Sequence, residues 1–286
     1  MFVDIEPGTF NLNVTKLEQL VTSKTKAIIP VHLFGQCCEM DPILEIAKQH
    51  KLRVIEDCAQ SIGASYNGRA AGSMSDVGCF SFYPTKNIGG FGDGGMLTSN
   101  DAEISDRLRL LANHGMRPRY YHQVVGINSR LDAIQAAVLC KKMDHLAEYS
   151  SKRKANAVRY RKLLLESGLQ KVVALPSTSV GSEHVWNQFT IRISGDRRDE
   201  VRQQLADLNV GSEVYYPVPL HKQDCFAHLN CDPATLPETE RAAAEVLSIP
   251  IFPELTEVEQ HYVVDCLAKV LGAGGGDVEV GLRMAG

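Results

Sequence analysis

At 286 residues, with 44% hydrophobic and 22% charged side chains, the chain can bury a sizeable core and has the length of two domains. A net charge of −4 gives no electrostatic footprint for a nucleic acid or an anionic membrane, and no apolar run reaches the length of a bilayer span. The eight cysteines are scattered, lack C-x-x-C or metal-like spacing with His, and read as the reduced thiols of a cytoplasmic protein without a metal. Residues 1–10 have no basic stretch followed by an apolar one, so no secretory leader is expected.

Along the chain, residues 1–5 (MFVDI) read as a strand that begins at the first residue. Residues 26–33 (KAIIPVHL) and 52–57 (LRVIED) are short apolar runs of buried-strand type. Between them Ile43, Ile46 and Ala47 recur at helical spacing over residues 42–50, so the unit is β-α-β and its strands are parallel. Residues 77–82 and 96–99 predict two more strands, separated by a glycine-rich loop. Residues 129–132 (SRLD) resemble a capping box opening a long helix, with Leu131, Ile134 and Val138 on one face and Met143 and Leu146 continuing it. The helical pattern persists through residues 153–165 into a second domain. There residues 188–193 alternate as a strand with Phe189, Ile191 and Ile193 on one face, and Val201, Leu205 and Leu208 mark an amphipathic helix. The expected organisation is a wound α/β domain over residues 1–147, a small α+β domain over 148–271, and a loose glycine-rich tail over 272–286.

The chemistry gathers at two strand ends. Asp57 closes a buried strand, and in open α/β sheets ligands sit beyond the carboxyl ends of strands. A carboxylate there is expensive unless it meets a cation; taken alone it is equally a cap or a loop acid. Lys86 follows the next strand, after Ser81 and a Pro-Thr turn; taken alone it is a solvated lysine. Gly90, Gly92 and Gly95 match G-x-G-x-x-G, but that fingerprint requires a helix immediately after it, and Gly95 leads into a predicted strand. What the glycines offer is a permissive backbone beside Lys86.

Together, a strand-end acid, a serine five residues before a lysine and a glycine loop after it resemble the DegT/DnrJ group, the sugar-nucleotide aminotransferases among fold-type I pyridoxal phosphate (PLP) enzymes. The resemblance runs from FVDIEPGTFNLN at Phe2 through IIPVHLFGQ, VIEDCAQSIGA, SFYPTKNIGGFGDGG, NHGMRPRYYHQVVGINSRLDAIQAAVL, EVYYPVPLHKQ and LSIPIFPELT, nearly to Leu271. Its specific part is Ser-Phe-Tyr-Pro-Thr-Lys-Asn. It implies a fold-type I large domain, incomplete at its N-terminus, plus a small α+β C-terminal domain.

It also implies pyridoxal 5'-phosphate as cofactor, with each role carried over by position. Asp57 matches the salt bridge that keeps the ring nitrogen protonated, Gln60 the hydrogen bond to the ring hydroxyl, and Ser81 a phosphate contact. Lys86 matches the Schiff-base lysine that later moves the proton, for which its pKa must be lowered. Asn128 matches a residue that reaches the phosphate of a neighbouring subunit's cofactor, which implies a homodimer with shared active sites. Tyr216 and His221 match a lip of the second domain over the sugar, although loop packing is as plausible. His32 reads better as a satisfied core histidine than as a ring neighbour. Arg117, Arg119 and Tyr120 form a basic-aromatic loop, suited to a diphosphate or simply solvated.

The implied reaction is transamination of a nucleotide-linked keto sugar by an amino acid donor such as glutamate. Lysine at position 86, where the related sugar dehydratases have histidine, favours it. Residues 126–137 resemble the members that act at sugar carbon 3, so a 3-keto acceptor is expected. Members of the group begin with a further segment holding much of the phosphate site and an aromatic that stacks on the ring. Residue 1 here aligns near their third strand, so an exposed apolar sheet edge and weak cofactor binding are expected. The competing reading is an inactive paralogue that dimerises and regulates; the intact set of Lys86, Asp57, Gln60 and Ser81 argues against it.

Overall fold

The computed structural model describes residues 1–272; from residue 273 on, the glycine-rich tail lies outside them. The strand expected over residues 1–5 does not form. In its place a single antiparallel bridge joins Ile5 to Leu12, and Phe10 donates its N–H to the Glu6 carbonyl at 2.9 Å. The cause is Asp4, buried in the middle of the apolar run. Its carboxylate accepts from Lys16 Nζ at 3.1 Å, the Glu238 amide at 3.2 Å, and the Thr239 amide and hydroxyl at 2.9 and 2.8 Å. A side chain tied to a helix start more than 200 residues away overrides local strand preference.

Strand β1 (Ala27–Ile28) is shorter than its apolar run because Pro30 has no N–H to continue a ladder. The chain stays beside the sheet: Asp57 donates its N–H to the Pro30 carbonyl at 2.9 Å, and His32 donates to the Asp57 carbonyl at 3.0 Å. Helix α1 (Met40–His50) buries Met40, Ile43 and Ala47 and returns the chain to β2 (Arg53–Asp57), parallel to β1 as the helical crossover requires. Strands β3 (Ser65–Tyr66) and β4 (Arg69–Ala70) form a tight hairpin on Asn67-Gly68, both at positive φ, the pair a two-residue hairpin turn demands. Strands β5 (Val77–Ser81) and β6 (Gly95–Thr98) complete the sheet in the order β1-β2-β5-β6, with β6 antiparallel. Met96 and Leu97 of β6 are 45% and 47% exposed.

After α2 (Ala102–Ala112), helix α3 (Ala133–Met143) starts later than the proposed capping box. Its N-cap is Asp132, whose carboxylate accepts from the Gln135 amide at 2.8 Å, so Ser129 is not the cap. The face expected to be buried is largely exposed at Leu131 and Ile134, and Leu139 is the residue α3 buries. The helix ends at Met143, and α4 (Leu146–Glu166) starts anew.

The second half holds β7 (Val173–Ala174), β8 (Ser182–Glu183), β9 (Phe189–Ile193), α5 (Arg198–Asp207), α6 (Pro237–Glu245), β10 (Val246–Ile249) and α7 (Glu257–Leu271). An antiparallel sheet runs β10-β9-β7, while β8 crosses back to pair with β3. β9 does not alternate as predicted, because all five residues are buried. Its polar positions are satisfied inside: Thr190 bonds Ser248 at 2.8 Å, and Arg192 bonds Glu245 at 2.7 and 2.9 Å. Around β9 and β10 pack Tyr160, Leu164, Val201, Leu205 and Leu267, joined from the first half by Phe10 and Phe34. Each such large apolar side chain contributes about 1.5–3 kcal/mol on burial. Among the described residues no helix is long and apolar enough to cross a membrane.

Burial alone would raise the Asp4 carboxyl, but the bonds from Thr239, Lys16 and the Glu238 amide hold it below its ordinary value. A depressed carboxylate contributes stability that is full above about pH 4 and is lost as pH falls through the folded value. Asp4→Ala is therefore expected to cost about 1–3 kcal/mol at pH 7 and to weaken the loss of stability on acidification. Urea unfolding at pH 7 and pH 3 measures both; an equally steep acid loss in the variant would clear Asp4 as its origin.

Candidate active site

β2 and β5 run parallel with Asp57 opposite Cys79, so their carboxyl ends open on the same edge of the sheet. The Cys58 amide continues the pairing past that end, donating to the Cys79 carbonyl at 2.8 Å. Successive strand residues point to opposite faces, which sends Glu56 and Asp57 to different environments. Glu56 is fully buried and accepts from His32 Nε2 at 3.0 Å, the Gly72 amide at 2.8 Å, and the Met74 and Ser75 amides and the Ser75 hydroxyl at 2.9 Å. Burial would raise its pKa, but those bonds, the His32 one foremost, hold it below the usual range. His32 Nδ1 accepts from the Cys38 amide at 3.1 Å, so Nε2 carries the proton and donates to Glu56. His32 is thus a satisfied core histidine. Cys58 lies within reach of both groups, but their polar atoms are already engaged and burial pushes its thiol up, which leaves a hydrogen-bonded core cluster in place of a cation site.

Asp57 faces the open edge. Its Oδ1 accepts from the Ala59 amide at 3.0 Å, which fixes the carboxylate at the strand end. One turn on, buried Gln60 accepts at Oε1 from the Phe34 amide at 2.6 Å and donates from Nε2 to the Tyr216 hydroxyl at 3.3 Å. The Phe34 bond settles which way the amide points: with Oε1 engaged, Nε2 is the end presented outward. Phe34 can present its N–H there because the backbone turns sharply, at φ +59° for Phe34 and +105° for Gly35. Sequence reasoning missed this contact; its only trace is the Phe-Gly step in VHLFGQ.

Lys86 follows β5 on a turn closed by its own N–H to the Tyr83 carbonyl at 2.9 Å. Burial lowers its pKa, and the Asp57 carboxylate partly opposes that. The Tyr216 phenol is raised by burial, with Tyr215 and Asp57 adding to it. Ser81 ends β5 opposite Gly95, its hydroxyl accepting from the Tyr83 amide at 3.2 Å. In the glycine loop, a Cβ on Gly89 would stand 2.2 Å from the Pro84 carbonyl oxygen, so only glycine fits. Gly95 opens a strand, as expected, and not a helix.

The structure therefore brings Asp57, Gln60, Lys86 and Tyr216 together, with Ser81 at the neighbouring strand end. It does not bring the others. Asn128 is exposed and accepts from Arg130 Nε at 3.2 Å. His221 is buried, its Nε2 on Glu240 at 2.6 Å and its ring 6.2 Å from that of Phe2. Arg117 is paired at both nitrogens with Asp106 at 2.7 Å, and Arg119 lies over the Tyr120 ring at 4.8 Å. A fixed carboxylate, an outward amide donor and an amine of reduced basicity in one half-buried site suit an aromatic nitrogen heterocycle bearing a hydroxyl and an aldehyde. That donor set fits pyridoxal phosphate, with Ser81 as a hydroxyl for its phosphate.

A family profile described as the DegT/DnrJ/EryC1/StrS aminotransferase family matches residues 1–268. The pleiotropic regulatory protein of Geobacillus stearothermophilus is 48% identical, over 94% of this chain and 72% of its own length. The UDP-N-acetyl-3-dehydro-alpha-D-glucosamine 3-aminotransferase of Acidithiobacillus ferrooxidans is 43% identical, over 95% of this chain and 71% of its own. Among solved structures, S. venezuelae DesV in complex with a ketimine intermediate matches with a TM-score of 0.89 at 39% identity, over 96% of this chain and 72% of that one.

The coupling of Lys86 to Asp57 has a definite sign. A nearby carboxylate favours the ammonium, so Asp57→Asn is expected to lower the Lys86 pKa further. Isotopic methylation of the lysines followed by an NMR pH titration of the cofactor-free chain reads this directly. A Lys86 midpoint that stays or rises in the variant would disprove the coupling.

Proposed function

The chain belongs to the DegT/DnrJ/EryC1/StrS aminotransferase family, and from that membership we propose that it transfers an amino group from an amino acid such as glutamate to the 3-keto position of a nucleotide-linked sugar. Its fold is that of the fold-type I aminotransferases, and its cofactor is pyridoxal phosphate. The observation that carries the proposal is the convergence of Asp57, Gln60 and Lys86 at the carboxyl ends of β2 and β5.

When bound, pyridoxal phosphate supplies an electron-accepting ring that takes up and releases the amino group. Asp57, held by the Ala59 amide, keeps a proton on the ring nitrogen. Gln60, oriented by Phe34, donates from Nε2 to the ring hydroxyl. Lys86 would anchor the cofactor and hold or move a proton at Nζ; its lowered pKa, set by burial, raises the share of neutral amine available for both tasks. Ser81 donates to the phosphate. Asn128, exposed, is suited to reach a second copy's phosphate in a homodimer with shared sites. Tyr216 is the sugar-facing wall contributed by the second half. His221, engaged by Glu240, braces the turn behind that wall. This assigns the cofactor to residues 1–147 and part of the sugar to residues 148–271. All eight cysteines are unpaired, which supports a reducing, cytoplasmic setting.

The choice of carbon 3 rests on the likeness of residues 126–137 to members acting there, and the name of the Acidithiobacillus relative supports it. A displacement of about 1 Å in the bound sugar can cost two orders of magnitude in rate, so one isomer should dominate. The name of the Geobacillus relative favours a second reading, a regulatory protein without turnover. Against it stand four residues with chemical roles and no other evident use for their arrangement.

With excess pyridoxal phosphate, borohydride reduction and peptide mapping are expected to place the label on Lys86, and Lys86→Ala to lose it. A label on another lysine overturns the assignment. In the reverse direction, a 3-amino nucleotide sugar should convert the cofactor at least tenfold faster than its 4-amino isomer. Faster conversion of the 4-amino compound would move the reaction to carbon 4, and no conversion of either would favour the regulatory reading.

A further inference from the structure

Residues 185–188 link β8 to β9, and they are bonded on both sides. The Val185 amide donates to the Gly35 carbonyl at 2.9 Å, and the Asn187 and Gln188 amides donate to the Phe34 carbonyl at 2.9 and 3.3 Å. From the other side, buried Arg153 of α4 donates through Nη1 to the Trp186 and Ile251 carbonyls at 3.0 and 2.9 Å. A backbone held in this way cannot drift, so the side chains it carries are fixed arms.

One of those arms reaches the residue after Lys86. Asn87 donates from Nδ2 to the Val185 carbonyl at 3.1 Å, which leaves its Oδ1 facing the Nδ2 of Asn187 at 2.9 Å. The network assigns both amides: with its nitrogen on a carbonyl, Asn87 must accept at oxygen, and Asn187 must donate. Both side chains are more than nine-tenths buried, and Asn187 Oδ1 has no partner among the described residues. Asn87 is thus the hydrogen-bond partner of the Asn187 side chain among the described residues. An apolar pair would fill the same space without a direction, whereas this buried amide pair is given one by the Asn187-to-Asn87 bond, which offsets part of its desolvation cost.

We propose that Asn187 is a positioning residue for Lys86, acting through Asn87. Lys86 lies between two anchors: the Tyr83 turn closed by its own N–H and the Asn87 amide held by the second half of the chain. The same residues 185–188 hold Phe34, whose amide orients Gln60. The second half therefore sets the relative pose of the two groups that face the ring. This rests on the reading of Lys86 as the cofactor lysine, and it adds a reason for Asn87 and Asn187 that this reading does not supply.

The test uses the reactivity of Lys86 in the cofactor-free chain, measured as its rate of dinitrophenylation by peptide mass spectrometry, with exposed Lys162 as internal reference. Asn87→Ala and Asn187→Ala are each expected to change the Lys86 rate at least threefold, the double variant no further, and Lys162 not at all. Asn187→Leu, which keeps the volume and removes the donor, should match Asn187→Ala and covers the case in which the alanine variant does not fold. Asn156→Ala, which removes a different buried amide bond to the Phe252 carbonyl, should lower the melting temperature and leave the Lys86 rate unchanged. A Lys86 rate unmoved by Asn187→Ala or Asn187→Leu, or effects that simply add in the double variant, would overturn the proposal. Borohydride trapping on the unaltered chain separates the two failures. A label away from Lys86 defeats the reading of the lysine, whereas a label on Lys86 with an unmoved rate defeats only the role of Asn187.

Discussion

The buried carboxylate of Glu56 is the constraint on which the site depends. An ion that far from water is intolerable unless its lone pairs are met, and five donors meet them, drawn from His32 and from Gly72 to Ser75. Those donors lie on the segment leaving β1 and on the loop entering β5. By gathering them, Glu56 locks the two neighbours of β2 to its carboxyl end. Asp57, the next residue, is then delivered to the opposite face, and Lys86 arrives from the strand alongside. One acid is used for structure so that the adjacent one can be used for chemistry.

Much of this was legible in the sequence where the determining forces are local. The β-α-β unit follows from periodicity, and the separation of Lys86 from a dinucleotide-type glycine loop follows from the strand after Gly95. Two of the misreadings share a cause, which is a distant partner. MFVDI has a strand's composition, but Asp4 satisfies itself on the start of α6. Residues 188–193 alternate in sequence, yet Thr190 and Arg192 find partners inside, so both faces of β9 are covered. The proposed cap at Ser129 gave way to Asp132, an equally good cap three residues on.

The site shows the same division. Asp57, Gln60 and Lys86 stand out as side-chain chemistry at strand ends. The Phe34 amide does not, because every residue but proline carries an N–H and only the backbone conformation singles this one out. Nor does the Asn87–Asn187 pair, separated by 100 positions, since two asparagines carry no mutual signal until the fold juxtaposes them. His221 adds a contact of the same kind: its Nε2 meets Glu240 of α6, 19 positions on, which nothing in the sequence around it announces.

Arg153 gives the junction between the two halves a particular character. Its guanidinium is bound to carbonyl oxygens and not to a carboxylate, in surroundings dry enough to bring its pKa down to about 10. Ion–dipole bonds in a water-excluded setting lie beyond the reach of mobile counterions. The exposed Arg117–Asp106 pair is open to them and weakens as salt is added. Ionic strength should therefore loosen the exposed Arg117–Asp106 contact while leaving the Arg153 bonds, and the backbone they hold against Phe34 and Gly35, untouched.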